Sequence, residues 1–94
     1  RVVRARQVQE KRFQNSSSRN NSGMNRKELE TYTELADSSR KILQQAMTKM
    51  GLSARAYDRI LKVARTIADL AGEQKIDTPH VAEAIQYRNL DRPV

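Results

Sequence analysis

A chain of 94 residues makes one domain at most, with a core no larger than that of a three- or four-helix bundle. It has no cysteine, which excludes disulfides and thiolate metal sites, and its apolar runs are too short for a transmembrane helix or a signal-peptide core. The formal net charge of +7 is unevenly spread: residues 1–30 carry eight Lys/Arg against three Asp/Glu, residues 31–94 ten against eight. Such an excess serves a phosphate-bearing partner or solubility alone.

Three glycines, two prolines and an abundance of Ala, Leu, Glu, Gln, Lys and Arg favour helix over sheet. Aromatics are scarce (Phe13, Tyr32, Tyr57 and Tyr87), so aliphatic side chains and methionine must fill the core. Residues 1–13 carry a weak apolar stripe of Val2, Ala5, Val8 and Phe13 among arginines; both a helix and a solvated arm fit it. The stretch 14–23 is Ser- and Asn-rich without one apolar residue and reads as a loop or linker. Asn25 with Glu28 three residues on has the spacing of a capping box, opening a helix that turns Leu29, Tyr32 and Leu35 inward.

Asp37 or Ser38 starts the next helix, with Ile42, Leu43, Ala46, Met47 and Met50 inward. Gly51 stops it in a conformation of positive φ. Ser53 caps the strongest helix, whose stripe is Ala56, Ile60, Val63, Ala64, Ile67, Leu70 and Ala71, and Gly72 ends it. Thr78 as N-cap and Pro79 as first helical residue open the last helix, with Val81, Ala82, Ile85 and Leu90 inward and Arg92-Pro93 at its end. The fold class is therefore all-α, a small four- to five-helix bundle. A basic helix and polar loop at 1–23 lead into a helical domain at 24–94.

Catalytic signals are nearly absent. The glycines at 23, 51 and 72 are isolated, so no phosphate-cradling Gly-x-x-x-x-Gly-Lys-Ser/Thr loop exists. His80, the only histidine, reads as a surface or capping residue. The pairs Arg65/Asp69 and Asp58/Lys62, four residues apart, read as solvated helix-surface partners. No catalytic residue and no metal ligand is expected within the chain. One constellation stands out: Arg55, Arg59, Lys62 and Thr66 share the helix face opposite Ile60, Val63 and Ile67. Arg55 stands in the first turn, where the macrodipole disfavours a cation and backbone N–H groups favour an anion. Ordinary surface cations relieved by Asp58 fit the pattern as well as a phosphate site does.

The run from Gly51 to Gly72, GLSARAYDRILKVARTIADLAG, resembles the C-terminal segment of magnesium-chelatase-related AAA+ proteins of the ComM/YifB type. Ile76, then HVAEAIQYR at 80–88, then Leu90-Asp91-Arg92 resemble the end of the same segment. The front matches more loosely through Arg4-Ala5-Arg6, Gln9, Asn21 and a leucine-bearing helix, and the Ser/Asn loop at 14–23 departs from the pattern. The resemblance implies a helical AAA+ lid, beginning here at Arg1 as a piece of something longer and not itself an enzyme. It further implies a bacterial, cytoplasmic ATPase whose upstream core binds ATP and Mg2+. Arg55 would then be the sensor-2 arginine reaching the γ-phosphate of its own or a neighbouring subunit's nucleotide, with Arg59 and Lys62 as phosphate-facing support. The implied assembly is a hexameric motor remodelling DNA by branch migration during competence, with the core and neighbouring subunits as partners and no membrane. The alternative from charge alone is a free-standing basic helical module that binds DNA or another subunit.

Overall fold

The computed structural model describes residues 2–90, with side chains as far as Tyr87. Five α-helices run along it: α1 (Val2–Arg12), α2 (Arg26–Tyr32), α3 (Asp37–Met50), α4 (Ala54–Leu70) and α5 (Thr78–Leu90), with a 3-10 turn at Asn21–Gly23. The chain is all-α as expected. The inward placement of Leu90 and the stop at Arg92-Pro93 concern side chains and residues outside those described.

Local chemistry sets most of the helix ends. At α2 the capping box is complete: Asn25 accepts from the Glu28 N–H at 2.8 Å, and Glu28 accepts from the Asn25 N–H at 3.1 Å. An Asn25→Ala variant is expected to lose about 1 kcal/mol in urea unfolding, the usual effect of deleting an N-cap. Gly51 ends α3 at φ 63°, and the Leu52 N–H donates to the Met47 carbonyl across the turn at 3.0 Å. Gly72 repeats the device after α4 at φ 76°, with Glu73 N–H donating to the Ala68 carbonyl at 2.9 Å.

Of the starts of α3 and α5, the first matches expectation and the second differs. α3 begins at Asp37 behind Ala36, which makes no side-chain cap; Asp37 instead meets the positive end of the helix dipole as a first-turn acid. At α5 the capping role falls to Asp77 rather than Thr78. Its carbonyl accepts from His80 and Val81 N–H groups, and its side chain accepts from the Thr78 N–H at 2.8 Å. The imidazole Nδ1 of His80 accepts the Asp77 N–H at 2.9 Å, as the Glu of a capping box would. Thr78 is thus the first helical residue and Pro79 the second, where proline's missing N–H is still harmless.

α4 is the hub. α5, α1, the 3-10 turn and α2 pack on it, while α3 packs against α5. Leu43, Ile60 and Val81 are fully enclosed at the centre, and Phe13, in the turn just past α1, is buried in the same core. The buried hydroxyl of Ser39 on α3 is satisfied by Thr78 at 3.0 Å. The inner face of α4 is rotated from the expected stripe. Ala56, Ile60, Leu61, Ala64 and Ala68 are buried, whereas Val63, Ile67 and Leu70 are half-buried and Ala71 is exposed. On α5 the expected Ala82 is exposed and Ala84 is buried in its place. Of the apolar residues expected inward on α3, Leu43 is fully enclosed and Ile42, Ala46, Met47 and Met50 are half-buried. A helix with neighbours on several sides buries more than one stripe, so periodicity alone misplaces its edges.

Candidate functional site

The tip of α4 is built by its cap. Gly51 reverses the chain, Ser53 takes extended backbone (φ −81°, ψ 168°), and its hydroxyl accepts the Ala56 N–H at 3.3 Å. Arg55 is the second helical residue, and it is exposed. The first turn of α4 contains no acid. Asp58, the nearest carboxylate along the helix, is held by Arg26 of α2 through a two-pronged contact at 2.6 and 3.2 Å. It therefore relieves neither Arg55 nor Lys62, and the expected Asp58/Lys62 pair is replaced by one across helices. Among the described residues nothing engages the Arg55 guanidinium.

The other members of the basic face part company with it. Arg59 is exposed. The Lys62 ammonium donates to the Ser22 carbonyl at 3.2 Å. The Thr66 hydroxyl donates to the Lys62 carbonyl at 3.1 Å and accepts from the Asn21 amide at 3.0 Å. So Lys62 and Thr66 lie under the Asn21–Gly23 turn, while Arg55 and Arg59 occupy the open end of the same face.

A second constellation was not legible in the sequence. Arg65 and Asp69 are buried, with side chains 4% and 1% exposed, where a solvated pair was expected. Arg12 from the end of α1 joins them, donating to both Asp69 oxygens at 2.8 and 2.9 Å. Asp69 also accepts from Asn21 at 2.8 Å and from the Arg65 Nε at 3.1 Å. Arg65 continues outward to the Glu73 and Gln74 carbonyls, both at 2.8 Å, tying down the connection to α5. The Arg12 guanidinium lies against the Tyr32 ring at 5.5 Å. Burial pushes the Asp69 carboxyl up, but hydrogen bonds from Arg12 and Asn21 and the charges of Arg65 and Arg12 outweigh it and hold it below the ordinary range. Burial is likewise the main influence on Arg65 and lowers its affinity for the proton, against the attraction of Asp69.

This cluster explains the Ser/Asn-rich loop. Without apolar residues it still packs, because Asn21 is 1% exposed and bonded to Arg12, Thr66 and Asp69. Ser16 and Ser18 donate to the Glu28 carboxylate, and these bonds, the Ser16 one foremost, hold Glu28 below its usual range. The only signal of this in the sequence is the absence of glycine and proline from residues 14–22, unusual for a free linker.

Between α4 and α5 lies an open groove of about 490 Å³ lined by Val63, Ile67, Leu70 and Tyr87, with Lys62 and Glu83 at its edge. Its apolar wall is the part of the α4 stripe that the core leaves half-buried. Among the described residues no group of three or more His, Cys, Asp or Glu comes together as a metal site, and no helix is long and apolar enough to cross a membrane.

No solved structure matches this chain. Among curated proteins it is similar to the competence protein ComM of Haemophilus influenzae, 47% identical over 91 residues, which is 97% of this chain and 17% of that protein. It is also similar to the uncharacterized protein YifB of Salmonella typhimurium, 36% identical over 92 residues, and to that of Escherichia coli, 37% identical over 92 residues; each alignment takes in 98% of this chain and 17% of the relative. The chain thus spans about one sixth of the length of these relatives, 17%. The family model for the C-terminal part of magnesium chelatase subunit ChlI matches residues 1–88. With the capped α4, the hub packing and these matches together, the chain belongs to the magnesium chelatase ChlI C-terminal family and is the C-terminal helical domain of a ComM-like protein.

Proposed function

We propose that this domain is the lid of an ATPase and that Arg55 is the residue it presents to the nucleotide. The observation that carries this reading is the tip of α4: an exposed guanidinium beside helix-end N–H groups, with no acid in the first turn. Neighbouring carboxylates normally offset a cation at that position, because the dipole opposes it. A phosphate restores the balance, and the planar fork of arginine suits two phosphate oxygens at once. ATP and Mg2+ are held by the core upstream. Arg55 stabilises the charge that gathers on the phosphoryl oxygens during transfer, and Arg59 supports it from the next turn. Lys62, drawn to the Ser22 carbonyl, serves this role only when that bond opens.

The domain supplies one wall of the site and is not an enzyme by itself. The whole protein is an ATP-driven motor of the cytoplasm, a ring of subunits acting on DNA. Support for a subunit contact comes from α1, where Val2, Val3 and Val8 are 56%, 68% and 41% exposed, a surface better suited to a protein neighbour than to water. The nucleotide reading is tested in the full-length protein. Arg55→Ala is expected to lower saturated ATP turnover at least tenfold, a modest share of what one charge-stabilising donor contributes. Circular dichroism should stay helical, and Arg55→Lys should restore only part of the rate. Unchanged turnover in the alanine variant overturns the assignment.

A further inference from the structure

We infer that α1 and the Ser/Asn stretch are part of this domain's rigid body, fastened by Asn21, and that the joint on which the domain moves lies before Val2 rather than in residues 14–23. By composition that stretch is where a flexible linker is expected. A joint needs exposed backbone and few buried contacts, and the opposite holds here. Asn21 and Ser18 are 1% and 8% exposed. Asn21 is bound to both of the helices that such a joint would separate. Toward α1, its side chain accepts from Arg12 at 2.8 Å and its N–H donates to the Gln9 side chain at 3.1 Å. Toward α4, its amide donates to Thr66 at 3.0 Å and to Asp69 at 2.8 Å. Ser18 reaches the Glu28 carboxylate of α2 at 2.6 Å.

α1 is also joined to the bundle by contacts that bypass the loop. Arg12 meets both Asp69 oxygens, and Phe13 is buried in the core with its ring edge-on to Tyr32 at 5.8 Å. Swinging α1 away from α4 would part Asp69 from Arg12 and uncover Phe13. Breaking a buried ion pair from one side is among the costliest local changes, so the domain moves where fewer such contacts cross. The fastening thins toward the start of α1: Ala5 is buried, whereas Val2 and Val3 before it are exposed. The family is a C-terminal one and the match takes in 17% of ComM, so in such a protein the upstream chain joins at that end. Arg55 and the valines of α1 then move together. This inference rests on the reading of the domain as a lid that moves with nucleotide.

The test is made in the full-length protein with spin labels at Gln7→Cys on α1 and Gln45→Cys on α3, both exposed positions. Upstream cysteines are replaced, and labelled subunits are diluted with unlabelled ones. Pulsed electron resonance then gives the distance without nucleotide, with ADP and with a non-hydrolysable ATP analogue. The α1–α3 distance should be the same in all three states, while a pair from Gln45→Cys to a site in the upstream core should shift. An α1–α3 distance that changes with nucleotide overturns the inference and leaves the lid reading standing. If neither distance changes, the moving-lid reading fails and the joint before Val2 falls with it. Native-state trypsin cleavage after Arg19, whose side chain is exposed, tests the fastener itself, read from the fragment that begins at Asn20. The parent should resist there, because cleavage needs the loop to open first. Asn21→Ala should raise the rate at least tenfold, the least expected from removing two buried hydrogen bonds to charged partners, with circular dichroism still helical. Ready cleavage in the parent, or an unchanged rate in Asn21→Ala, overturns the role of Asn21.

Discussion

Asp69→Asn is expected to cost about 3–5 kcal/mol of folding stability, the range for breaking a buried ion pair from one side. The side chain keeps its shape, so packing changes little; what disappears is the one negative charge between two guanidiniums. Arg12 and Arg65 are 10% and 4% exposed at their side chains and cannot turn to water. Each would face the other across an amide whose NH2 group, in place of an oxygen, offers donors where donors already converge. Against a total stability of about 5–15 kcal/mol for an ordinary domain, the loss is large. In thermal unfolding the midpoint should fall by roughly 12 °C or more. A variant within about 1 kcal/mol of the parent would show the cluster to be a bystander, since that is the scale of solvated pairs.

The same carboxylate gives the protein an acid limit. Its folded pKa lies below that of the unfolded chain, so the stabilisation is complete above the ordinary aspartate value of about 3.9 and drains away as pH falls through the lower folded value. Glu28, also held low, through the Ser16, Ser18 and Asn25 bonds, acts in the same direction. Urea midpoints measured from neutral pH downward should hold level and then drop below about pH 4. In Asp69→Asn that drop should be shallower, because the titrating group is gone.

Leu43→Ala is the second large expected effect. Leu43 has no exposed surface and sits where α3 closes against α5. Truncation removes its transfer energy and leaves a cavity between helices that cannot collapse freely, for a loss of about 2–5 kcal/mol. Ile42, its half-buried neighbour, is the control: Ile42→Ala should cost distinctly less in the same urea titration. Equal losses at the two positions would mean that the core is plastic rather than packed around Leu43.

For the proposed site, the informative residues are local ones. Gly51, Ser53 and the helix that follows place Arg55 on an exposed first turn, and each acts on its immediate neighbours in the chain. The capping box of Asn25 and Glu28 is legible for the same reason, as is the capping character of His80. What a sequence cannot display is which side of a helix another segment covers. Arg65 and Asp69, four residues apart, have the spacing of a solvated surface pair, and nothing near them announces otherwise.

Helix ends, the all-α class and the exposed arginine at the α4 tip were thus determined by the sequence, since hydrogen bonds of three or four residues' reach and side-chain periodicity are enough to specify them. Tertiary structure alone decided that Arg12 travels 57 residues along the chain to Asp69, that a loop of serines and asparagines is pinned to α4 through the buried Asn21, and that Val63 and Ile67 line a groove. Burial is a property of neighbours, and a charge becomes structural only when a distant partner takes the place of water.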